Sequence, residues 1–552
     1  MRNLQIFGNL QMSEQFSEVR KYTKTATILF ICLTSLVIFK FKNSKQNLFQ
    51  SSSSNATSLE KFSHNFTTSM IHGYVNNASK PNNTNTNPIN NRHDIFEELL
   101  SSGFDKNSCL SRYERSTYRK NQPYKPSPHL ISKLRSYQTL HARCGPHSPS
   151  YRQSISKLST NFSDTIPCKY LIWTPANGLG NRIVSITSAF LYALLESRVL
   201  LVEFETEMDD LFCDPFPNST WVLPNDFPGK HHWAELPSFE TVLNSGDAQF
   251  SPPIVHLNLQ HGTGDPIIRH FHCNSSQFLA HVIPVLILRS DQYFTPSLFL
   301  IPSLIEELNK MFPQKGSVFH LLGNYLFNPS NDAWGLITRF YDAYLSKTDT
   351  KIGLQIRAFP PPDKKPPYDK IMSQILNCTL TNQILPSFAT KKSVAKNQIS
   401  KSSAVLVSSL YPQFSEQLRN MYWTKPTSTG DVIGVYQPSH EEYQKFGDNV
   451  HNMKAWAEIY LLSLCDVLVT SGQSTFGYVA HGLAGLNPWV LNKLDGSKAR
   501  YPTCKRGISS EPCFHIAPKD DCHGHKTDNI TTLKYYLREC EDLWWGIKLV
   551  ND

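Results

Sequence analysis

The segment Val469-Thr-Ser-Gly-Gln-Ser474-Thr475-Phe476-Gly477-Tyr478 sets hydroxyls and two glycines directly after an apolar run. A strand that opens into such a loop and then a helix turns backbone amides and hydroxyls toward one spot, which suits a phosphate. Ser474 is also a candidate helix N-cap, but capping alone leaves the neighbouring hydroxyls without a task. A second strand–loop–helix passage carries Asn177, Gly178, Gly180, Asn181 and Arg182. It is neither the dinucleotide fingerprint nor a P-loop, and a tight turn before a capped helix would explain it as well. Arg357 ends the apolar strand Ile352-Gly-Leu-Gln-Ile356. From a strand's carboxyl end its guanidinium would point into a cleft, where a planar fork can grip diphosphate oxygens in pairs, although an exposed arginine past a strand is also commonplace.

Other chemistries lack their signatures. The sequence holds no Gly-x-Ser-x-Gly, no His-Glu-x-x-His and no Asp-x-Asp. The last absence counts against metal-dependent nucleotide-sugar transferases, so cationic side chains and helix dipoles would have to neutralise a leaving diphosphate. The alternation Glu203, Glu205, Glu207 reads as a solvated acidic edge. A net charge of +9 fits an anionic ligand, and without a Lys/Arg-rich run it gives no footprint for nucleic acid. With 40% hydrophobic and 18% charged residues, the 552-residue chain is neither collagen-like nor wholly disordered.

Those loops need α/β elements to position them. Lys169–Thr174, a helix from about Arg182 to Leu195 and Val199–Glu203 make one βαβ unit. Further strands are expected at Ile352–Arg357, Ala404–Ser408, Val432–Tyr436, Val467–Ser471 and Trp489–Leu491, with helices at His451–Leu464 and Thr475–Leu483. The expected fold is two Rossmann-like, doubly wound domains facing a cleft, residues 93–335 and 336–552.

The chain's start reads differently. Thr25–Phe39 is uncharged and lies between Lys24 and Lys40, long enough for a short membrane span over 25–41 after a tail at 1–24. Residues 42–92, rich in Ser, Asn and Thr, read as a disordered stem. Sequons at Asn55, Asn65, Asn77, Asn82, Asn161, Asn218, Asn274, Asn377 and Asn529 all follow the span. Eleven of twelve cysteines do too, which points to an oxidising lumen and a type II anchor. Cys465, inside an apolar run, is expected to be a buried free thiol, and the other ten could form five bridges. Cys504, Cys513, Cys522 and Cys540 form a dense C-terminal cluster, and disulfides are preferred to metal ligation.

Many ordered motifs then converge on one family. They include Gly103-Phe-Asp-Lys-Asn-Ser-Cys-Leu-Ser-Arg-Tyr113, Asn177-Gly-Leu-Gly-Asn-Arg182, Gly353-Leu-Gln-Ile-Arg357, Gln437-Pro-Ser-His440, Lys454-Ala-Trp-Ala-Glu458 and Ser474-Thr-Phe-Gly-Tyr478. From about Asp94 onward the chain resembles the plant fucosyltransferases of glycosyltransferase family thirty-seven, the xyloglucan galactoside 2-alpha-L-fucosyltransferase type. The resemblance implies a Golgi GT-B enzyme that takes GDP-fucose without a metal and inverts the anomeric centre. Its acceptor would be the 2-hydroxyl of a galactosyl residue on a cell-wall polysaccharide, xyloglucan first, with arabinogalactan protein or another glycan as alternatives. A catalytically silent carbohydrate-binding protein would be a different class, and a homodimer is left open. On this resemblance Arg357 holds the donor diphosphate, Ser474, Thr475, Phe476 and Tyr478 form the donor loop, and Asn181 and Arg182 help close the cleft. Asp291 and Asp542 are the acidic candidates for the base near the acceptor. One departure is Ser471-Gly-Gln473, where some relatives carry a bulkier aromatic side chain.

Overall fold

The computed structural model describes residues 98–551, apart from positions 101, 120–121, 161–165, 229, 231–232, 246–251, 263–270, 359, 361–363, 390–399, 495–500, 520–521 and 523–533. The expected tail, span and stem therefore lie outside the described residues, as do the sequons at Asn55, Asn65, Asn77, Asn82, Asn161 and Asn529. Among the described residues no helix is long and apolar enough to cross a membrane.

Two sheets organise the body. The first holds β1 (Tyr170–Thr174), β2 (Val199–Val202), β3 (Ile254–Asn258) and β4 (Val285–Arg289), all parallel, in the order β2-β1-β4-β3. The second holds β5 (Thr350–Gln355), β6 (Ser402–Ser408), β7 (Val432–Tyr436), β8 (Val467–Ser471), β9 (Trp489–Leu491) and β10 (Cys504–Arg506). Its order is β10-β9-β8-β5-β6-β7, and only the edge strand β10 runs antiparallel. β1, β2 and β4 are buried almost throughout, which is why they read as continuous apolar runs rather than alternating ones. β3 and β4 were not expected from sequence, and they supply half of the first sheet.

In each sheet the first strand in sequence lies inside, with later strands added on both sides. The order thus reverses between β1 and β4, and again between β5 and β8. Open α/β sheets bind ligands beyond the carboxyl ends of the strands at such points.

Five helices matter for the site: α1 (Pro128–Cys144), α2 (Leu179–Leu195), α3 (Val318–Leu326), α4 (Asn449–Ser463) and α5 (Thr475–Ala484). α1 starts where Pro128 takes the first helical position and the Ser127 hydroxyl accepts from Leu130 N. α2 is buried on nearly every side, so its hydroxyls must be satisfied locally. Thr187 and Ser188 each donate to the carbonyl four residues back. α5 packs on α2, α3 and α4, and Gly485 ends it at φ +66°, the left-handed conformation that glycine adopts without strain.

The C-terminal stretch returns to the first half of the chain, although residues 336–552 were expected to form one domain. Its hairpin, β11 (Leu537–Glu539) and β12 (Ile547–Leu549), joins the core shared with β1, β4 and α2. Glu511 accepts from Phe319 N, Ser510 donates to Gly316 O and Tyr536 donates to Phe299 O.

Among the described residues there are five disulfides: Cys109–Cys213, Cys144–Cys168, Cys273–Cys522, Cys378–Cys504 and Cys513–Cys540. Cys465 is buried and free. The four C-terminal cysteines are not a self-contained cluster, however. Only Cys513 and Cys540 pair with each other, while Cys504 and Cys522 tie the tail back to earlier elements. Asn218, Asn274 and Asn377, the sequons in the described residues, are exposed.

Candidate active site

The two reversal points face each other across a cleft of about 500 Å³, within the usual range for small-ligand sites. Arg357 lies two residues beyond β5 and lines it. Its amide donates to the Ser471 hydroxyl at the end of β8 (2.9 Å), which fixes the backbone. Its Nη2 donates to Gln444 Oε1 (3.3 Å). Burial makes the charge costly and pulls the Arg357 pKa below its ordinary value. A positive group held half-dry beside a helix N-terminus is the environment that favours a multiply charged anion.

That helix is α5. Ser474 occupies its N-cap position, but the hydroxyl makes no capping bond, contrary to the capping role considered from sequence. The first-turn amides are therefore not consumed by it, and Ser474, Thr475 and Phe476 line the cleft. The loop before α5 is held open by Gln473 at φ +58°. Its amide donates to Asp542 Oδ2 (2.6 Å) and its side chain to Asp542 O (3.2 Å).

The opposite wall is the loop between β1 and α2. Asn177, Gly178, Gly180 and Asn181 line the cleft. The Thr475 hydroxyl donates to Asn181 Oδ1 (3.0 Å), so the two loops touch. Gly180 is required there, because a Cβ at that position would lie 2.8 Å from Phe476 N and from the Thr475 carbonyl carbon.

Several sequence assignments need correction. Arg182 does not line the cleft. It is buried, donates to Asn177 O, and forms ion pairs with Glu205 (3.0 Å) and Glu207 (2.5 Å). The acidic alternation is therefore not simply solvated: Glu207 is buried and also accepts from Gly447 N, tying the first sheet to the loop before α4. Phe476 lines the cleft, but Tyr478 does not; its ring is buried and its hydroxyl donates to Asp542 Oδ2 (2.6 Å).

Neither acidic candidate lines the cleft. Asp291, at the end of β4, is 1% exposed. It accepts from Asn177 Nδ2 (2.5 Å), His261 N (3.0 Å), His261 Nδ1 (2.9 Å) and Gln292 Nε2 (2.9 Å). Burial opposes its ionisation, yet these donors prevail and hold the carboxyl below its usual range. With its lone pairs taken, Asp291 orients other groups. Asp542 anchors the Gln473 loop instead.

Side chains not singled out from sequence complete the cleft: His261, His515, Gln444, Ser439 and Glu458. Glu458, a buried residue of α4 inside the quoted Lys454–Glu458 motif, has its carboxyl pushed up to about 7 by burial. The Ser408 hydroxyl donates to it at 2.5 Å, and Ser439 donates to its other oxygen. Among the described residues two His/Cys/Asp groups have metal-like proximity, His272-Cys273-Cys522 and Cys513-Cys540-Asp542, but every cysteine in them is in a disulfide and neither group lines the cleft.

Comparison with known proteins agrees with this geometry. The family described as xyloglucan fucosyltransferase matches residues 62–523. A galactoside 2-alpha-L-fucosyltransferase of Pisum sativum is 47% identical over 82% of this chain and 81% of its own length. One of Arabidopsis thaliana is 44% identical over 98% of this chain and 95% of its own. The solved structure of an Arabidopsis thaliana FUT1 mutant in complex with GDP superposes with a TM-score of 0.77 at 47% identity, covering 83% of this chain and all of that one. The chain therefore belongs to the xyloglucan fucosyltransferase family.

Proposed function

We propose that the protein transfers L-fucose from GDP-fucose to the 2-hydroxyl of a galactosyl residue on xyloglucan, with inversion at fucose C1. The observation that carries this reading is Arg357, its backbone held by Ser471 at the reversal point of the second sheet, lining the same cleft as the first turn of α5. The diphosphate of GDP-fucose fits that pairing, and the similar FUT1 structure holds GDP. As the C1–O bond to the diphosphate breaks, Arg357 and the α5 amides take up the negative charge, with no divalent ion needed. The acceptor hydroxyl attacks from the opposite face, on the side of the β1–α2 loop.

Incubating the purified chain with labelled GDP-fucose and galactosylated xyloglucan oligosaccharides tests the assignment. Label on the galactosyl 2-hydroxyl, undiminished by a chelator, is the expected result. Label only on arabinogalactan would move the acceptor, and neither binding nor turnover of GDP-fucose would remove the enzymatic reading. The same proposal places the body in the Golgi lumen behind a single type II anchor, supported by the uncharged Thr25–Phe39 window and five disulfides. Protease protection of the body in intact vesicles checks this.

A further inference from the structure

Two carboxylates, buried Asp291 and half-buried Asp542, are the ends of one line of hydrogen-bonding side chains that crosses the cleft wall. Asp291 Oδ2 lies 2.9 Å from His261 Nδ1, and His261 Nε2 lies 3.3 Å from His515 Nδ1. His515 Nε2 is 3.0 Å from the Tyr478 hydroxyl, which is 2.6 Å from Asp542 Oδ2. Both histidines line the cleft.

Donor counting fixes the protons. Tyr478 has one hydroxyl hydrogen, and the Asp542 carboxylate can only accept, so that hydrogen goes to Asp542. The Tyr478 oxygen is then an acceptor, and His515 must carry its proton on Nε2. On the other side the Asp291 carboxylate needs a hydrogen from His261 Nδ1. Gln292 Nε2 donates to Asp291 Oδ1 (2.9 Å) and lies against both ring nitrogens of His261, so the Asp291 carboxylate alone sets that tautomer. His261 Nε2 and His515 Nδ1 therefore face each other as two lone pairs, with room between them for a single proton.

We propose that this histidine pair, a catalytic His261 oriented by Asp291 and a positioning His515 oriented by Tyr478 and Asp542, accepts the proton released by the acceptor hydroxyl. The inference rests on the fucosyltransferase reading of the same cleft. In the step, the acceptor oxygen bonds to fucose C1 while the C1–O bond to the diphosphate breaks, its electron pair leaving with GDP. The hydroxyl proton moves to His261 Nε2, where the His515 Nδ1 lone pair shares it and the Asp291 carboxylate balances the charge. The half-exposed His261 ring later returns the proton to water.

The division of labour follows from the surroundings. Burial pulls His515 down to about 4, against the pull of the Asp542 and Asp291 charges, so it stays neutral and lends its lone pair. The groups facing the pair are Asp291 and Gln292 after β4, Tyr478 on α5, and Asp542 in the C-terminal stretch. His481 lies against the Tyr478 ring.

The purified full chain gives the test. His261→Gln should lower kcat by roughly a hundredfold or more, leave GDP affinity by calorimetry within about threefold, and abolish the acid limb of the kcat profile. His515→Asn should move that limb to lower pH, because protonated His261 loses its acceptor, and Tyr478→Phe should do so more weakly. Nitrogen NMR of the imidazoles reads the tautomers independently of turnover, and Nδ1-protonated His261 beside Nε2-protonated His515 supports the pair. The opposite tautomer on either ring, or His261→Gln keeping both kcat and the acid limb, overturns it. A wild-type chain that binds GDP but fucosylates no galactoside would instead bring down the functional reading beneath it.

Discussion

Arg357 and Asp291 show what a residue's neighbours add to its type. An arginine after an apolar strand is commonplace, so Arg357 was legible only when that place was joined to the family likeness, and its amide bond to Ser471 now shows how its backbone is set. We expect Arg357→Ala to reduce kcat/KM by at least a thousandfold, losing both GDP affinity and turnover, while Tm changes little because the guanidinium is not part of the core. Calorimetric titration with GDP beside initial rates checks this, and near-normal kcat would dismiss the guanidinium as the charge acceptor. Asp291 was legible as important only through family likeness, and its role was misread. A carboxylate with four hydrogen bonds from Asn177, His261 and Gln292 has no lone pair left for a substrate. His261 and His515 were invisible for a physical reason: nothing in a linear sequence shows that residues 254 apart meet at 3.3 Å.

At the scale of elements, the strand–loop–helix passages were readable from composition, since buried parallel strands are apolar runs that end in glycine and hydroxyls. The expected β5 to β9 coincide with the observed ones to within two residues at each end. β3 and β4 escaped because a five-residue apolar stretch reads equally as strand or buried helix. How the loops meet could not be read at all, and it makes two sharp demands. In Gly180→Ala the new Cβ would press into the backbone of Thr475 and Phe476 and part the two walls. We expect at least tenfold weaker GDP binding and a stability loss of about 1–3 kcal/mol, read by titration and denaturant unfolding. Glu207→Ala should leave the buried Arg182 with half-exposed Glu205 as its remaining carboxylate beside the Asn177 carbonyl. Breaking such a pair costs roughly 3–5 kcal/mol, so a large fall in unfolding free energy with GDP still bound by the surviving fold is the expected pattern. Unchanged stability would show that Glu205 alone suffices.

Across the whole molecule, the returning C-terminal stretch converts two sheets into one body with deeply enclosed ionisable groups, and these set its response to acid. Burial pulls His141 and His515 down to about 4, and His320 and His481 to about 3. Below the ordinary histidine value of about 6.5 the unfolded chain binds protons that the native state refuses, so this stability is lost as pH falls from about 6.5 toward 4. Glu458 and Glu511 work in the other direction. Burial pushes both up to about 7, so their contribution is full below about 4.5 and is lost as pH rises through 7. These four histidines outweigh the two glutamates between pH 4.5 and 6.5, and His256 and His451, also pulled down by burial, act in the same direction, so the net effect of acid is destabilising. Tm should therefore drop by several degrees from pH 6.5 to pH 5 in scanning calorimetry, and Glu511→Gln, which removes one opposing group, should steepen the fall. A Tm that held constant or rose on acidification would mean that the enclosed imidazoles gain compensating partners when protonated, and the tail's packing around His481 and Glu511 would have to be looser than the hydrogen bonds to Ser510 O and Phe319 N imply.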